Sequence, residues 1–416
     1  MTNILKIAAR NLRRYRRRTM LTALLIVLGV TLVILFSGLS GSFKSMMIGI
    51  ITDSNLGHMQ VHRKGYVASI DTLPLNLNMK AKDYAALQDI LKASPGIEAY
   101  APRLKLGAML SNFLETTNIR VTAVDPEAEL KVSPALSGRL RSKAWTERGH
   151  FLAPGEIVVP LKIAVALGVK EGDSVVLVAT NSEGSVNGLT FTVVGFAEDV
   201  LGPQGKDGFI HFEDAKNLLR ITDQEVSEVA VRVKDFQNLD AVEQGIRKRI
   251  AAAHDPEGKP SLELHTWADL SPFANIAKII DLLTVTMRII MIGIVLISVL
   301  NVMLMSVYER VREIGTIAAI GTSPGRILSL FLAEGVCLGL LGTLGGCAVG
   351  LSGILLLNIF KVRFNFAQMQ LTLNPSISLT EIVTVSAIVL CMSVAATLQP
   401  AWKASRMEPV EALRHV

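Results

Sequence analysis

Cysteine is scarce in this chain of 416 residues, and the three present, Cys337, Cys347 and Cys391, all fall in apolar runs. None lies in the stretch 44–270, so disulfides do not staple that stretch, and cysteine usage gives no clue to its compartment. Signatures of catalysis are missing too. No HExxH, CxxC or GxSxG occurs, and no paired carboxylates stand out from the background. That removes the sequence-readable zinc, redox and serine-hydrolase sites. A phosphate-cradling GxxxxGK[ST] loop is also absent. Its nearest approximation, Gly205-Lys206-Asp207, lacks the leading glycine and has Asp where a hydroxyl must hold magnesium.

Charge is missing from four long stretches: 19–43, 289–308, 335–360 and 382–402 contain no Asp, Glu, Lys or Arg. Half of all residues are apolar, 19% are charged, and mean hydropathy is +0.43. A helix needs roughly 20 residues to cross the hydrocarbon of a bilayer, and each run is long enough. Four such runs argue against buried helices of a large soluble core. Acids are absent from the first 18 residues, which carry Lys6, Arg10, Arg13, Arg14, Arg16, Arg17 and Arg18. The overall charge is +6, so the remaining 398 residues carry a net −1. The excess lies beside the first apolar run, where the positive-inside rule places it on the cytoplasmic face. A nucleic-acid arm is the rival reading, and this distribution argues against nucleic acid. Ile4, Ile7, Ala8, Leu12 and Tyr15 share one side of a helical projection, so residues 1–18 are expected to form an amphipathic helix on the inner membrane surface. The first run is too long for an ordinary secretory signal and is expected to stay as an anchor.

The expected fold class is an integral membrane α-helical protein with four transmembrane helices plus an extracytoplasmic α+β domain containing a β-rich inserted subdomain. With both termini cytoplasmic, the order is transmembrane helix 19–43, extracytoplasmic domain 44–270, stalk and second transmembrane helix 271–308, and inner loop 309–326. A third transmembrane helix over 327–360, a short outer loop 361–381, a fourth over 382–402 and a tail over 403–416 follow. Within the outer domain, 58–62, 226–233 and 261–265 read as strands and 83–91 and 239–252 as helices, while 97–114 looks like two short strands. Between these halves lies the β-rich stretch, about 118–225, with its clearest strands at 173–180 and 189–198 joined by the turn formers of 181–188. Leu270, Phe273, Ile276, Ile280, Leu283 and Met287 recur at helical steps ahead of the second apolar run. One helix over 272–308 would be roughly 55 Å long, beyond the bilayer core; a separate amphipathic helix on the soluble domain is the alternative.

Gly335, Gly339, Gly342, Gly346, Gly350 and Gly353 follow one another at steps of three and four, lining one helix face. Small residues so placed let a partner helix approach closely, either a span of this chain or a second subunit. Between spans two and three, Gly321 can end one short helix, and Ser323 with Pro324 can begin the next. The result is a compact helical hairpin, either a docking element or a plain connection. His58 and His62 would share a strand face and could bind a metal, but a half-exposed strand explains them, and no metal site is expected. Glu334 at the inner end of span three could be a functional intramembrane acid, but the expected reading places it at the membrane interface, where burial costs little.

The run from Tyr308 to Gly346, with Glu309-Arg310-Val311-Arg312-Glu313-Ile314-Gly315, Ala319-Ile320-Gly321 and Phe331-Leu332-Ala333-Glu334-Gly335, resembles the permeases of the MacB/FtsX/LolC–LolE superfamily of ABC transporters. The tail is similar as well, from Pro400-Ala401-Trp402-Lys403-Ala404 to Glu408-Pro409-Val410-Glu411-Ala412-Leu413-Arg414. So is the outer domain at Gly155-Glu156-Ile157-Val158, Ala166-Leu167-Gly168, Glu171-Gly172-Asp173 and Thr192-Val193-Val194-Gly195. In layout the chain looks most like the LolC/LolE lipoprotein-releasing permeases.

The resemblance implies a non-catalytic membrane subunit that works with a cytoplasmic ABC ATPase dimer and a second permease copy, as a homo- or heterodimer. Membrane lipid surrounds it, and a lipoprotein substrate or periplasmic adaptor is a further expected partner. ATP and magnesium would sit on the ATPase, with no cofactor in this chain. The expected location is a bacterial cytoplasmic (inner) membrane. Movement of the ATPases would pass outward through spans one and two, an arrangement called mechanotransmission. The 309–326 loop then matches the element that docks on the ATPase, with Glu309, Arg310, Arg312, Glu313 and Gly321 as coupling residues. An FtsX-type regulator of a cell-wall hydrolase and a macrolide or peptide efflux permease are the alternatives; an outer domain of some 225 residues favours transport.

Overall fold

Strand formers gather in the middle of the chain and apolar helix formers at its two ends, and the structure divides in the same way. The computed structural model describes residues 2–142, 151–198, 207–252, 261–366 and 369–408. One unit comprises Met1–Met46 with Ala277–Val416, and the other Met47–Ile276.

The first unit is helical. Helices Arg16–Ile51, Phe273–Glu309, Pro324–Phe360 and Leu379–Ser405 carry spans one to four, and each has a stretch long and apolar enough to cross a membrane. The periodicity ahead of span two belongs to the same helix as the span. Span three starts at Pro324, eleven residues before its charge-free run, with Ser323 at the N-cap; the Ser323 hydroxyl makes no capping bond. The N-terminal helix, Thr2–Arg14, packs on span three and buries Ala8 and Leu12, whereas Ile7, expected on the same face, is half exposed. Ile26, Val30 and Ile34 of span one, Val295 and Val299 of span two, Phe331 and Leu338 of span three, and Val385 and Val389 of span four form one core.

The glycine stripe divides its contacts between two neighbours in the same chain. A β-carbon at Gly335 would stand 2.3 Å from Thr397 Cγ2, and one at Gly339 3.0 Å from Ser393 Cβ, both on span four. Further along, Gly342 faces Ile26 at 2.4 Å, Gly346 faces Val30 at 2.5 Å, Gly350 faces Ile34 at 2.9 Å and Gly353 faces Leu35 at 2.9 Å, all on span one. The stripe is therefore used internally.

The second unit is a mixed ten-stranded sheet covered by helices. Its strands are β1 (Met59–Arg63), β2 (Ile97–Ser111), β3 (Thr116–Val124), β4 (Leu140–Arg141), β5 (Glu156–Pro160), β6 (Ser174–Thr180), β7 (Val186–Ala197), β8 (Gly208–His211), β9 (Glu228–Val233) and β10 (Leu262–Thr266). The order is β10-β1-β9-β2-β3-β8-β5-β7-β4, with β6 pairing β2 and β7. β3–β8 and β5–β7 are parallel and the other pairs antiparallel. The early and late strands β1, β9 and β10 lie side by side at one end of the sheet, and the strands of the β-rich stretch, which separates them in sequence, continue the sheet beyond β2. Two corrections follow. The stretch 97–114 is one 15-residue strand ending at Ser111 rather than two short ones. Its first half pairs with β9 and its second with β3 and β6, so it stitches the inserted strands into the same sheet. β1 is central and buried rather than half exposed, because β10 and β9 flank it and its faces are covered. Gly205 and Lys206, and the tail from residue 409, lie outside the described residues.

Where the stripe meets span one, any added atom collides with a branched side chain. Gly342→Ala and Gly346→Ala should each destabilise the helical unit by about 1–3 kcal/mol. Gly293→Ala, in span two with nothing within 4 Å of the new carbon, should be neutral or slightly stabilising. Thermal unfolding of the three variants in one detergent tests this, and equal midpoints would reject the packing argument.

Candidate functional site

The connection between spans two and three folds as the helix Val311–Ala319 followed by a turn at Gly321, whose φ of +92° suits glycine because it has no β-carbon to clash. Of the five proposed coupling residues, Glu309, Arg312 and Gly321 are exposed and Glu313 is partly buried. Arg310 is 5% exposed and so lies in the interior rather than on a docking face. Its Nη1 donates to Glu334 Oε1 at 2.9 Å and its Nε to Glu313 Oε2 at 3.1 Å. Asn11 Nδ2, from the N-terminal helix, donates to the same Glu334 oxygen at 2.8 Å. The guanidinium lies 5.5 Å from the Phe331 ring centroid and 5.8 Å from that of Tyr15. A cation over a ring face gains from the ring's negative quadrupole, so the aromatic walls partly replace lost water.

Glu334, expected at the membrane interface, is 1% exposed and so buried within the helical unit. A carboxylate held away from water needs a partner, and Arg310 and Asn11 meet that need. Three chain segments (N-terminal helix, hairpin and span three) are thereby joined at one carboxylate. A lone acid immediately before a glycine stripe was the available sequence signal; that Arg310 and Asn11 would reach it was not legible. The outward surface of the hairpin presents Ile317 and, at its tip, Ile320, which is 80% exposed. Nearby, Lys403 Nζ donates to Tyr308 Oη at 3.0 Å and ties span four to the end of span two. The arrangement is a hairpin anchored by Arg310 to Glu334, with an exposed apolar tip at Ile320 among charges.

The soluble unit buries a second set of charges that the sequence reading missed. Arg103 forms a bidentate pair with Glu129 at 2.6 and 2.8 Å and also reaches Glu228 Oε1 at 3.0 Å. Lys105 Nζ lies 2.9 Å from Glu228 Oε2, and Arg120 Nε 3.4 Å from Asp207. Burial alone would raise Glu228, but Lys105, His62 and Arg103 together hold it well below the usual carboxylate range. For Asp207 burial wins over Lys105 and Arg120, and its pKa is raised. Register explains the row: Glu228 stands directly opposite His62 on β1 and Arg103 on β2, so the three project to one face. Beside it opens a cavity of about 500 Å³ whose lining includes Leu73, Met109, Ile119, Val178 and Val186 with Arg120.

His58 and His62 do not converge on a metal; among the described residues no three His, Cys, Asp or Glu side chains are grouped to hold one. His62 lies between Glu228 and the Tyr66 ring. His58 Nδ1 accepts the Val233 main-chain N–H at 3.1 Å, a bond that requires this nitrogen to be unprotonated. Burial and then Arg232 lower its pKa to about 4, against the opposing pull of Asp53 and Glu98.

Comparison with known proteins gives two family matches. The MacB-like periplasmic core domain covers residues 19–249 and the FtsX-like permease C-terminal covers 285–409. The lipoprotein-releasing system transmembrane protein LolC of Neisseria meningitidis is 25% identical, over 95% of this chain and 94% of its own length. The macrolide export ATP-binding/permease protein MacB of Hahella chejuensis is 26% identical over 96% of this chain, which spans 58% of that protein. Among solved structures, the periplasmic region of MacB from Actinobacillus actinomycetemcomitans aligns at 12% identity and a TM-score of 0.37, over 56% of this chain and 95% of that one.

Two expected outcomes follow. Glu334→Leu strands the buried Arg310 charge and should cost about 3–5 kcal/mol, whereas Glu334→Leu with Arg310→Met should recover most of the loss. Thermal midpoints of the singles and the double decide it; additive losses would mean that the pair is not coupled. For His58 the folded pKa lies below the unfolded value of 6.5, so the unfolded chain takes up the proton first. Stability from this group is complete above pH 6.5 and falls as pH drops toward 4, by at most about 3 kcal/mol. His58→Gln should flatten that part of the curve in unfolding followed by tryptophan fluorescence; identical slopes for both chains would refute it.

Proposed function

We propose, for a chain that belongs to the MacB-like and FtsX-like family of ABC transporter permeases, that it is the membrane subunit of a complex driven by ATP hydrolysis on separate cytoplasmic chains. The ATPase pair docks on the 309–326 hairpin, and its movement passes along spans one and two, the helices through which the chain enters and leaves the soluble unit. A second permease copy completes the complex. In this reading both termini are cytoplasmic and the soluble unit faces the other side of a bacterial inner membrane, in keeping with the seven bases that precede span one.

The observation that supports this reading most is the anchoring of the hairpin. A docking element can deliver force only if it cannot swivel, and Arg310 fastens this one to Glu334 inside the bundle. The substrate class we favour is a lipoprotein or another lipophilic molecule at the outer leaflet, by analogy with LolC and in keeping with the part-apolar cavity beside Arg120. Macrolide or peptide export is the second reading, supported by the match to MacB.

The test separates docking from folding. Arg312→Glu with Glu313→Arg, and separately Ile320→Asp, should each lower ATPase co-purification or coupled turnover about tenfold, the scale of losing one well-buried contact at an interface. Normal membrane insertion and an unchanged thermal midpoint are expected for Ile320→Asp, whose side chain lies on the surface. Full ATPase coupling in both variants would reject the hairpin as the docking site.

A further inference from the structure

Spans one and two are predominantly apolar, yet three polar contacts join them away from the hairpin. Arg288 Nε donates to Ser37 Oγ at 2.9 Å. Ser40 Oγ lies 2.5 Å from Thr284 Oγ1, and because Thr284 already donates to Ile280 O, Ser40 is the donor. Lys44 Nζ meets the two Asp281 carboxylate oxygens at 2.6 and 2.8 Å. Positions 37, 40 and 44 on one helix thus pair with 288, 284 and 281 on the other, rising on one as they fall on the other. The steps are three and four on both helices, the spacing of the seam between two packed helices. Arg288 Nη2 also donates to Glu381 Oε1 at 2.8 Å, and Glu381 is the capping-box residue at the start of span four.

We infer that these residues form a register lock that prevents span two from sliding along span one. Apolar seams tolerate a slip of one turn, since one branched side chain replaces another. Polar seams do not, because each slipped group loses its matched partner, even where, as at Lys44 and Asp281, the pair is partly exposed. Here a slip of one turn would set Lys44 against Thr284 in one direction or against Lys278 in the other, and it would pull Arg288 from both Ser37 and Glu381. The two helices therefore move as one piece, with Arg288 extending the piece to span four. This rests on the mechanical reading above and names the positioning residues it needs: Ser37, Ser40, Lys44, Asp281, Thr284 and Arg288.

The test uses the full chain with Cys337, Cys347 and Cys391 replaced by Ala. Disulfide formation is compared between an in-register pair, Ser40→Cys with Thr284→Cys, and a pair one turn away, Ser40→Cys with Ile280→Cys. With the outer two rungs intact, the first pair should close about tenfold faster than the second, as a single aligned seam requires. In Lys44→Ala with Arg288→Ala that preference should vanish, and in the exchange Lys44→Asp with Asp281→Lys it should return. A preference that survives removal of both rungs overturns the lock, and so does failure of the exchange to restore it in a chain that still inserts. Coupling is measured in parallel on the complex with its ATPase. A chain that slips in the disulfide test but keeps full ATP-driven turnover refutes the positioning role alone. A wild-type chain that never couples to an ATPase refutes the mechanical reading while the register result stands.

Discussion

Two helices in lipid gain nothing by hiding apolar surface from water, so contact must come from how closely their backbones can approach. Span three meets that constraint with glycine, and much of the helical unit hangs on the outcome. At Gly342, Gly346 and Gly350 the branched side chains Ile26, Val30 and Ile34 fill the space where a β-carbon would be. At Gly335 and Gly339 the small polar residues Thr397 and Ser393 of span four do the same. Span three is thus a hub with two seats, and the helix that provides them begins at the hairpin.

Charge fixes what close packing leaves free. Glycine contacts permit rotation and sliding, because dispersion between smooth surfaces changes little with small displacements. Buried or half-buried ion pairs are different, since displacement strands a charge. At one end Glu334 holds Arg310 and Asn11; at the other Arg288 holds Ser37 and Glu381. The soluble unit follows the same logic on a sheet. There Glu228 sits in direct register with His62 and Arg103, so a slip of β9 by one residue would turn its carboxylate away from both.

Periodicity and the lack of charge made the helices legible, because both are local. The four long helices, the hairpin with its turn at Gly321 and the early and late strands of the soluble unit come directly from such patterns. What was hidden depends on partners far apart in the chain. The glycine stripe was visible, but its neighbours were not, since nothing in the spacing of Gly342 and Gly346 selects Ile26 and Val30. That Glu334 would be buried against Arg310, 24 residues away, could not be read from the sequence around it. Arg310, expected among the coupling residues, is 5% exposed and bonded to Glu334. The stretch 97–114, read as two short strands, is one strand whose two halves pair with different neighbours, and pairing partners are not local to the sequence.

These features bear on how, on the proposed reading, the chain would take part in an energy-consuming process. On the proposed reading its task is to carry displacement, and displacement is lost wherever a joint is soft. The joints most exposed to that loss are the hairpin, where force would enter, and the seam between spans one and two, where it would travel. Both are closed by ionic groups that the surrounding apolar sequence had no need of for insertion. Each such group costs desolvation, and Arg288 and Glu334 would both be easier to place in a membrane as leucine. Their presence is best understood as the exchange of some insertion energy for stiffness. That exchange makes sense in a part that transmits movement and little in one that merely anchors a domain.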